Sequence, residues 1–179
     1  MILGISELLR LVKEENLVEG LSERELTNPE GAGFDLRIGE LYKLRGQGFL
    51  GVTERETPEL ELAASYDPAK STVIALEPRI YYMMKTIEKV NTPLDVAILF
   101  RPRSTLYRSG VTAFTGNCAP GYKGELNFGL INFGAEPFKL EMGARIVHAM
   151  FYEVKAGGSA YRGQWQGGRA TTDGKEVQV

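Results

Sequence analysis

Hydroxyl and guanidinium groups are concentrated in the segment Arg101-Pro102-Arg103-Ser104-Thr105-Leu106-Tyr107-Arg108. A strand is predicted to end at Pro102, and Ser104 and Thr105 can cap one helical turn after it. The free amides of that turn, the hydroxyl groups and the flanking arginines would form a site suited to phosphate. An ordinary capped turn with surface arginines explains the same residues, so both interpretations stay open.

A second segment, Gly31-Ala32-Gly33-Phe34-Asp35-Leu36, places an acid between apolar neighbours at the start of a predicted strand. Its small residues permit close approach of the backbone to a ligand. Asp35 can position water molecules on a Mg²⁺ ion, the usual companion of a triphosphate. A turn aspartate bonded to its own backbone is the commoner explanation of such a residue.

Two further segments combine glycine with aromatic and amide side chains. The segment 116–125 is typical of a Gly/Pro hairpin whose backbone can pair with the edge of a base, with Tyr122 packing on a sugar. The segment 161–169 suits a lid in which Trp165 stacks on a nucleotide and Arg169 meets phosphate. A plain turn is the commoner explanation of the first, and a disordered tail explains the second equally well.

Composition excludes several other kinds of site. His148 is the only histidine and Cys118 the only cysteine, so neither a histidine metal cluster nor the Cys/Cys/His zinc site of zinc-dependent base deaminases can form. The net charge is −2, from 21 basic and 23 acidic residues, and no basic stripe appears. Binding to a nucleic-acid polymer is therefore not expected.

The same features predict a soluble protein of the cytoplasm. One cysteine cannot form an internal disulfide, which fits a reducing compartment. The start, Met1-Ile2-Leu3-Gly4, lacks the basic residues of a signal peptide. No apolar run approaches the ~18 residues that a membrane span requires.

The elements that must position these segments are mostly short β-rich runs separated by Gly, Pro and Asn. The predicted strands are Phe34–Ile38, Glu40–Leu44, Thr72–Leu76, Ile80–Lys85, Val96–Arg101, Leu126–Asn132 and Ile146–Glu153. No helical pattern alternates with them, which favours an all-β, antiparallel sandwich or barrel. A short helix capped by Ser6 and running to about Asn16, then a polar loop over 23–33, precede the strands.

Alternation predicts which side chains of the last two strands face the core. The predicted core residues are Leu126, Phe128, Leu130, Val147, Ala149 and Phe151, with His148 on the opposite face. Residues 1–179 are predicted to form one domain, with an N-terminal helix region at 1–22 and a flexible tail at 156–179.

In this order and spacing, the segments resemble the dUTPase/dCTP deaminase superfamily. The segments similar to its five motifs are 31–36, 102–106, 119–134, 143–146 and the Gly-rich tail. The resemblance spans roughly residues 31–169, and the N-terminal helix is more like the deaminase branch. It implies a distorted β-barrel or jelly roll, a homotrimer with active sites at subunit interfaces, and a pyrimidine deoxynucleoside triphosphate bound with Mg²⁺.

The resemblance also implies roles for single residues. Asp35 would touch the water shell of the metal, Asn117 would read the pyrimidine, and Tyr122 would pack under the deoxyribose. His148 stands where the pyrophosphatases commonly carry a phosphate-binding glutamine. The implied phosphate contacts are Arg103, Ser104, Thr105 and Arg108, and the implied lid contacts are Gln164, Trp165 and Arg169.

Both positions implied to carry a catalytic carboxylate depart from the pattern. Ala119 stands at the place of the dUTPase aspartate and Gly129 at that of the deaminase glutamate. Loss of a general base typically costs about 10²–10⁴-fold in rate. Glu125 lies on the same predicted strand, but roughly 13 Å from Gly129, too far to replace it directly. The two small residues are expected to enlarge the pocket and favour a bulkier base.

Three functions therefore stay open. The first is hydrolysis of dUTP to dUMP and pyrophosphate, with water positioned by Asp35, another acid or Mg²⁺. It is preferred because phosphoryl chemistry depends mainly on positioning and charge neutralisation. The second is deamination of dCTP to dUTP. The third is nucleotide binding without catalysis, or action on a modified nucleotide.

Overall fold

A computed structural model describes residues 1–178, and strands dominate it; Val179, the last tail residue, lies outside the described part. The helices are α1 (Ile5–Glu15), α2 (Glu23–Thr27) and α3 (Ser104–Arg108). The strands are β1 (Val18–Glu19), β2 (Phe34–Arg45), β3 (Phe49–Leu50), β4 (Glu54–Glu56), β5 (Glu59–Ser65), β6 (Val73–Leu76), β7 (Tyr81–Asn91), β8 (Val96–Pro102), β9 (Val111–Phe114), β10 (Asn117–Cys118), β11 (Lys123–Asn132), β12 (Phe138–Glu141), β13 (Arg145–Glu153) and β14 (Glu176–Val177). None of the helices in this part of the chain has the length and apolar character of a membrane span.

One curled antiparallel sheet of nine strands forms the body of the molecule. Its order is β10-β8-β13-β2-β7-β11-β9, with β1 added to β7 and β5 added to β2. A separate pair joins β12 to β6, and a small three-stranded sheet joins β14, β4 and β3. The all-β class and the distorted barrel predicted from the sequence are confirmed.

The predicted core faces are confirmed on both strands that carry them. Leu126, Phe128 and Leu130 of β11 and Val147, Ala149 and Phe151 of β13 are all buried. Aromatic contacts tie both strands to their neighbours in the core. Phe128 of β11 lies 4.9 Å from Phe100 of β8, and Phe151 of β13 lies 5.9 Å from Phe34 of β2, between ring centroids. Burial of each of the Val, Leu and Phe side chains stabilises the fold by roughly 1.5–3 kcal/mol.

Strand β2 joins two runs that were predicted to be separate. The prediction stopped at Gly39 because glycine often ends a strand, but β2 continues and shifts register against β7 between Ile38 and Glu40. A Cβ atom at Gly39 would lie 3.1 Å from backbone atoms of Thr86 and Ile87. Glycine therefore allows a close approach within a strand here.

Four local predictions are wrong. Helix α1 is capped by Gly4 and not by Ser6, and α3 has Arg103 at its N-cap without a side-chain cap. Helix α2 forms inside the predicted loop, where the buried Glu25 carboxylate accepts a hydrogen bond from the Asp35 amide at 2.9 Å. The segment 116–125 is no hairpin, because β10 pairs with β8 whereas β11 pairs with β7 and β9.

Candidate functional site

A cavity of about 390 Å³ lies where the loop between β10 and β11 meets the tail that follows β13. Its lining residues are Thr57, Met83, Phe100, Gly116, Asn117, Cys118, Ala119, Tyr122, Leu126, Asn127, Phe128, Tyr161, Trp165, Arg169 and Ala170. Mostly apolar walls with a few polar groups are typical of a small-molecule site. Four of the predicted binding residues, Asn117, Tyr122, Trp165 and Arg169, come together here.

Tyr122 is held rigidly in the cavity wall. Its hydroxyl donates a hydrogen bond to the Glu125 carbonyl and accepts one from the Gly168 amide at 3.2 Å. The Tyr161 ring packs on it edge to face, with centroids 5.4 Å apart. Burial raises the pKa of Tyr122 to about 12, so the phenol stays neutral and offers a flat apolar surface.

The lining of the cavity contains no acidic side chain. Ala119 takes the position of the expected aspartate, and the one charged lining residue is Arg169, which forms an ion pair with Glu176. Burial raises the pKa of the Cys118 thiol to about 11, so this group is protonated at neutral pH and is no nucleophile. The cavity can therefore bind and orient a ligand, but it offers no general base of its own.

The space beside Gly129 is occupied by Tyr81. A Cβ atom at Gly129 would lie 1.8 Å from the Tyr81 hydroxyl oxygen. Gly129 pairs across the sheet with Met83, which lines the cavity. The expectation that Gly129 enlarges the pocket is therefore wrong: a side chain from β7 fills the room that the glycine leaves.

The tail, residues 156–178, lies over the cavity and is called the lid below. The Tyr161 amide donates to the Pro120 carbonyl at 2.7 Å, and the Gln166 side chain accepts from the Lys123 amide at 2.9 Å. The Asn127 amide nitrogen donates to the carbonyls of Gly168 and Arg169, at 3.2 and 3.3 Å. These contacts hold the tail against the cavity, while its role as a lid and its flexibility stay predictions.

The hairpin β3–β4 and the strand β14 hold the far end of this lid. Strand β14 pairs with β4, where Glu176 stands opposite Arg55 in the backbone register. The Thr57 amide donates to the Thr172 hydroxyl at 2.9 Å. The Arg55 guanidinium lies 5.1 Å from the centre of the Trp165 ring, a cation–π distance. The lid is thus fastened to a segment far from it in the chain.

Unpaired polar atoms gather at this junction. Among the residues that the structure describes, the buried side-chain atoms without a hydrogen-bond partner are Arg55 Nε and Nη2, Asn127 Oδ1 and Gln164 Oε1. Gln164 uses its nitrogen on the Val177 carbonyl at 2.9 Å and does not line the cavity. A buried polar group without a partner typically costs about 1–3 kcal/mol.

A second group of predicted residues surrounds Asp35, whose carboxylate is buried. Arg103 and Arg145 donate to one oxygen, Arg145 at 2.9 Å, and His148 Nδ1 lies 2.8 Å from the other. Burial by itself raises the pKa of Asp35, but the hydrogen bonds from His148 and Arg103 outweigh it, and the pKa is lowered. Asp35 thus holds a cluster of basic groups in fixed positions.

The remaining predicted phosphate residues lie beside this cluster in the chain. Ser104, Thr105 and Arg108 are exposed on α3, which begins directly after Arg103. None of these residues, nor Asp35 or His148, lines the cavity. One chain therefore carries two surfaces, an apolar cavity under the lid and a basic cluster around Asp35.

Sequence reasoning missed Arg145, Asn127, Arg55 and Tyr81. Arg145 stood within a recognised motif and could have been found from it. Asn127 lies within the motif segment 119–134, but its contacts to the tail depend on tertiary structure. Arg55 and Tyr81 reach the site only because β4 packs against the tail and β7 pairs with β11, which no local pattern reveals. Among residues 1–178, no group of three or more His, Cys, Asp or Glu side chains is placed to hold a metal ion.

Comparison with known proteins gives consistent matches. Residues 2–154 match the model of a family described as dCTP deaminase-like. A probable deoxyuridine 5'-triphosphate nucleotidohydrolase of Methanothermobacter thermautotrophicus is 36% identical over 79% of this chain and 89% of its own. A second, from Methanopyrus kandleri, is 33% identical over 75% and 84%. A dCTP deaminase of Pyrococcus furiosus is 30% identical over 87% and 88%.

Among solved structures, the chain is similar to a 2'-deoxycytidine 5'-triphosphate deaminase from Agrobacterium tumefaciens, with a TM-score of 0.64 and 16% identity. The match covers 86% of this chain but 46% of that one, so this chain spans less than half of its length. At this identity the likeness concerns the fold alone.

Proposed function

Because the chain belongs to the dCTP deaminase-like family, we propose that it hydrolyses dUTP to dUMP and pyrophosphate. The cavity beside Tyr122 carries the proposal, since it has the size and walls for a pyrimidine and a deoxyribose. The relatives named as deoxyuridine triphosphate hydrolases support the choice of substrate. The single cysteine fits a reducing compartment, and we place the reaction in the cytoplasm.

Hydrolysis is preferred over deamination because of the contact between Tyr81 and Gly129. Deamination requires a group that carries protons to and from the ring. The position expected to supply it is a glycine, and the neighbouring Tyr81 hydroxyl has its pKa raised by burial. A phenol of that kind donates hydrogen bonds at neutral pH but does not act as a base.

In this proposal the nucleotide spans both surfaces. Asn117 and the adjacent backbone contact the base, and Tyr122 packs under the sugar. The phosphates meet Arg103, Ser104, Thr105, Arg108 and His148, and Arg169 exchanges Glu176 for phosphate when the nucleotide binds. Since the cavity and the basic cluster are separate on one chain, we propose that each site combines two copies within a homotrimer.

Magnesium does not fit a site made by the described side chains alone. Both Asp35 oxygens already accept hydrogen bonds from basic groups, and no acidic cluster surrounds them. The water-mediated contact between Asp35 and Mg²⁺ stays a prediction that this arrangement does not favour. We assign Asp35 instead to positioning Arg103 and Arg145.

The test is to incubate the protein with MgCl₂ and dUTP, dCTP or dTTP and to separate the products by ion-exchange chromatography. We expect dUMP and pyrophosphate from dUTP alone. Conversion of dCTP to dUTP would overturn the argument from Gly129. A Tyr122→Ala variant is expected to lose activity, because it removes the proposed sugar contact.

The absence of an acid from the cavity favours a second candidate, a nucleotide-binding protein without turnover. It predicts that all triphosphates are recovered unchanged while one of them raises the melting temperature. At a ligand concentration of 100 Kd, that stabilisation amounts to about 2.7 kcal/mol.

A further inference from the structure

Arg55 carries two hydrogen-bond donors that the structure leaves without a partner. Its Nε and Nη2 atoms are buried, and neither meets an acceptor among the residues that the structure describes. The guanidinium carbon lies 5.1 Å from the centre of the Trp165 ring, a contact that supplies no acceptor to these two atoms. Nε and Nη2 lie side by side on the guanidinium and together suit the two oxygens of a carboxylate. A carboxylate that moved to Arg55 would therefore remove the cost of two unpaired donors.

Glu176 is a carboxylate that the backbone brings to Arg55. The two residues stand directly opposite each other where β14 pairs with β4. Side chains at such positions leave the sheet on the same face, with Cβ atoms about 4.5–5.5 Å apart. The Glu176 carboxylate is turned to Arg169 instead, whose Nη1 donates to one oxygen at 3.0 Å and whose Nη2 donates to the other. Glu176 thus binds one arginine and stands opposite a second.

The pair between Glu176 and Arg169 stands in the way of phosphate. Arg169 is the one charged residue that lines the cavity, and phosphate oxygens use the same guanidinium donors as a carboxylate. Hydrogen bonds from Arg169 and from the Asp173 amide, together with the charges of Arg169 and Arg55, lower the pKa of Glu176. The carboxylate is therefore ionised at neutral pH and competes with any phosphate that approaches Arg169.

We infer that Arg55 is a positioning residue that binds the Glu176 carboxylate when a nucleotide phosphate binds to Arg169. This inference rests on the proposed function, in which Arg169 contacts phosphate. The exchange requires a rotation of the Glu176 side chain and no change in the pairing of β14 with β4. It replaces one ion pair by another and gives Arg55 Nε and Nη2 their acceptor. Arg55 thereby favours ligands that carry phosphate over nucleosides, which leave Glu176 on Arg169.

The test measures dissociation constants by isothermal titration calorimetry. One ligand is α,β-imido dUTP, which carries phosphates and resists hydrolysis, and the other is deoxyuridine, which has no phosphate. In Arg55→Ala, α,β-imido dUTP must break the pair between Glu176 and Arg169 without a new partner for Glu176. We expect the dissociation constant of α,β-imido dUTP, divided by that of deoxyuridine, to rise about fivefold, in line with one partly exposed ion pair.

A second substitution separates this role from a structural one. In Arg55→Ala/Glu176→Gln the competing charge is gone, so the preference for α,β-imido dUTP is expected to recover. Arg55→Lys keeps a positive charge opposite Glu176 and is expected to lose less of the preference than Arg55→Ala. Lys175→Ala is the matched control, because it removes a cation that lies 5.2 Å from the Phe49 ring at the same junction and leaves the pair between Glu176 and Arg169 intact.

An unchanged ratio in Arg55→Ala would overturn the inference. So would a loss of preference that Glu176→Gln does not restore, because Arg55 would then act only as a support for Trp165. Equal weakening of both ligands in Arg55→Ala would lead to the same conclusion. Failure of α,β-imido dUTP to bind to the wild-type protein would contradict the proposed function, and the inference with it.

Discussion

Asp35 shows how one buried carboxylate can organise several basic groups. Its oxygens accept from Arg103, Arg145 and His148, and its own amide donates to Glu25. Removing the charge leaves the arginines facing a neutral group. The usual cost for a buried pair is about 3–5 kcal/mol, and we expect somewhat less here, because the arginines remain partly exposed.

Asp35→Asn is therefore expected to lower the free energy of unfolding by about 2 kcal/mol at pH 7, measured by urea denaturation. The folded pKa of Asp35 is lowered, so its contribution is complete above the ordinary value of about 3.9 and is lost as pH falls through the folded pKa. The gap between wild type and variant should shrink below pH 4. The exposed Asp67→Asn serves as control, and a gap that widens in acid would contradict the argument.

The sequence predicted site residues where they belong to a recognised motif, as for Tyr122 and Arg169, which line the cavity. The consequence of Gly129 was not, because its neighbour Tyr81 is fixed by the pairing of β11 with β7. A glycine leaves free space beside its strand only when no side chain from a neighbouring strand fills that space, as Tyr81 does here.

At the scale of elements, the lid and the hairpin β3–β4 form one unit through Arg55 and Trp165. Arg55→Ala is expected to make Trp165 fluorescence more readily quenched by acrylamide. The free energy of unfolding should change by less than about 1 kcal/mol, since loss of the cation–π contact is offset by removal of unpaired N–H groups.

Lys175→Ala is the control for that variant, because Lys175 makes a similar contact to Phe49, at 5.2 Å, and none to the Trp165 ring. Unchanged quenching in Arg55→Ala would show that the hairpin does not hold the lid. These contacts could not be predicted, since β3, β4 and β14 are strands of two or three residues without a clear alternation. The long strands were predictable because alternation over many residues is a strong signal.

For the whole molecule, the cavity and the basic cluster share no residue, so a complementation experiment can test whether they act within one chain or between two. Arg103→Ala and Tyr122→Ala are each expected to be inactive alone. If a site combines the cavity of one copy with the cluster of another, mixed assemblies made by co-expression should recover up to about one quarter of wild-type activity. Recovery of none would mean that each chain builds its site alone.

The all-β class and the barrel architecture followed from the sequence because most long strands carry their own pattern. The arrangement of the site could not be predicted from the sequence, because it depends on which surfaces of different elements meet. One cavity contains four of the predicted binding residues, Asn117, Tyr122, Trp165 and Arg169. Arg103 and His148 lie outside it and bind to Asp35.

The fastening of β14 to β4 also bears on how the protein can evolve. The lid ends in a strand whose partner is a hairpin more than a hundred positions earlier in the chain. Loss of the tail would remove Lys175 from Phe49 and Trp165 from Arg55. Loss of the hairpin would remove the strand with which β14 pairs. The tail and the hairpin β3–β4 should therefore be retained or lost together in evolution. We expect homologues with shortened tails to have shortened hairpins as well.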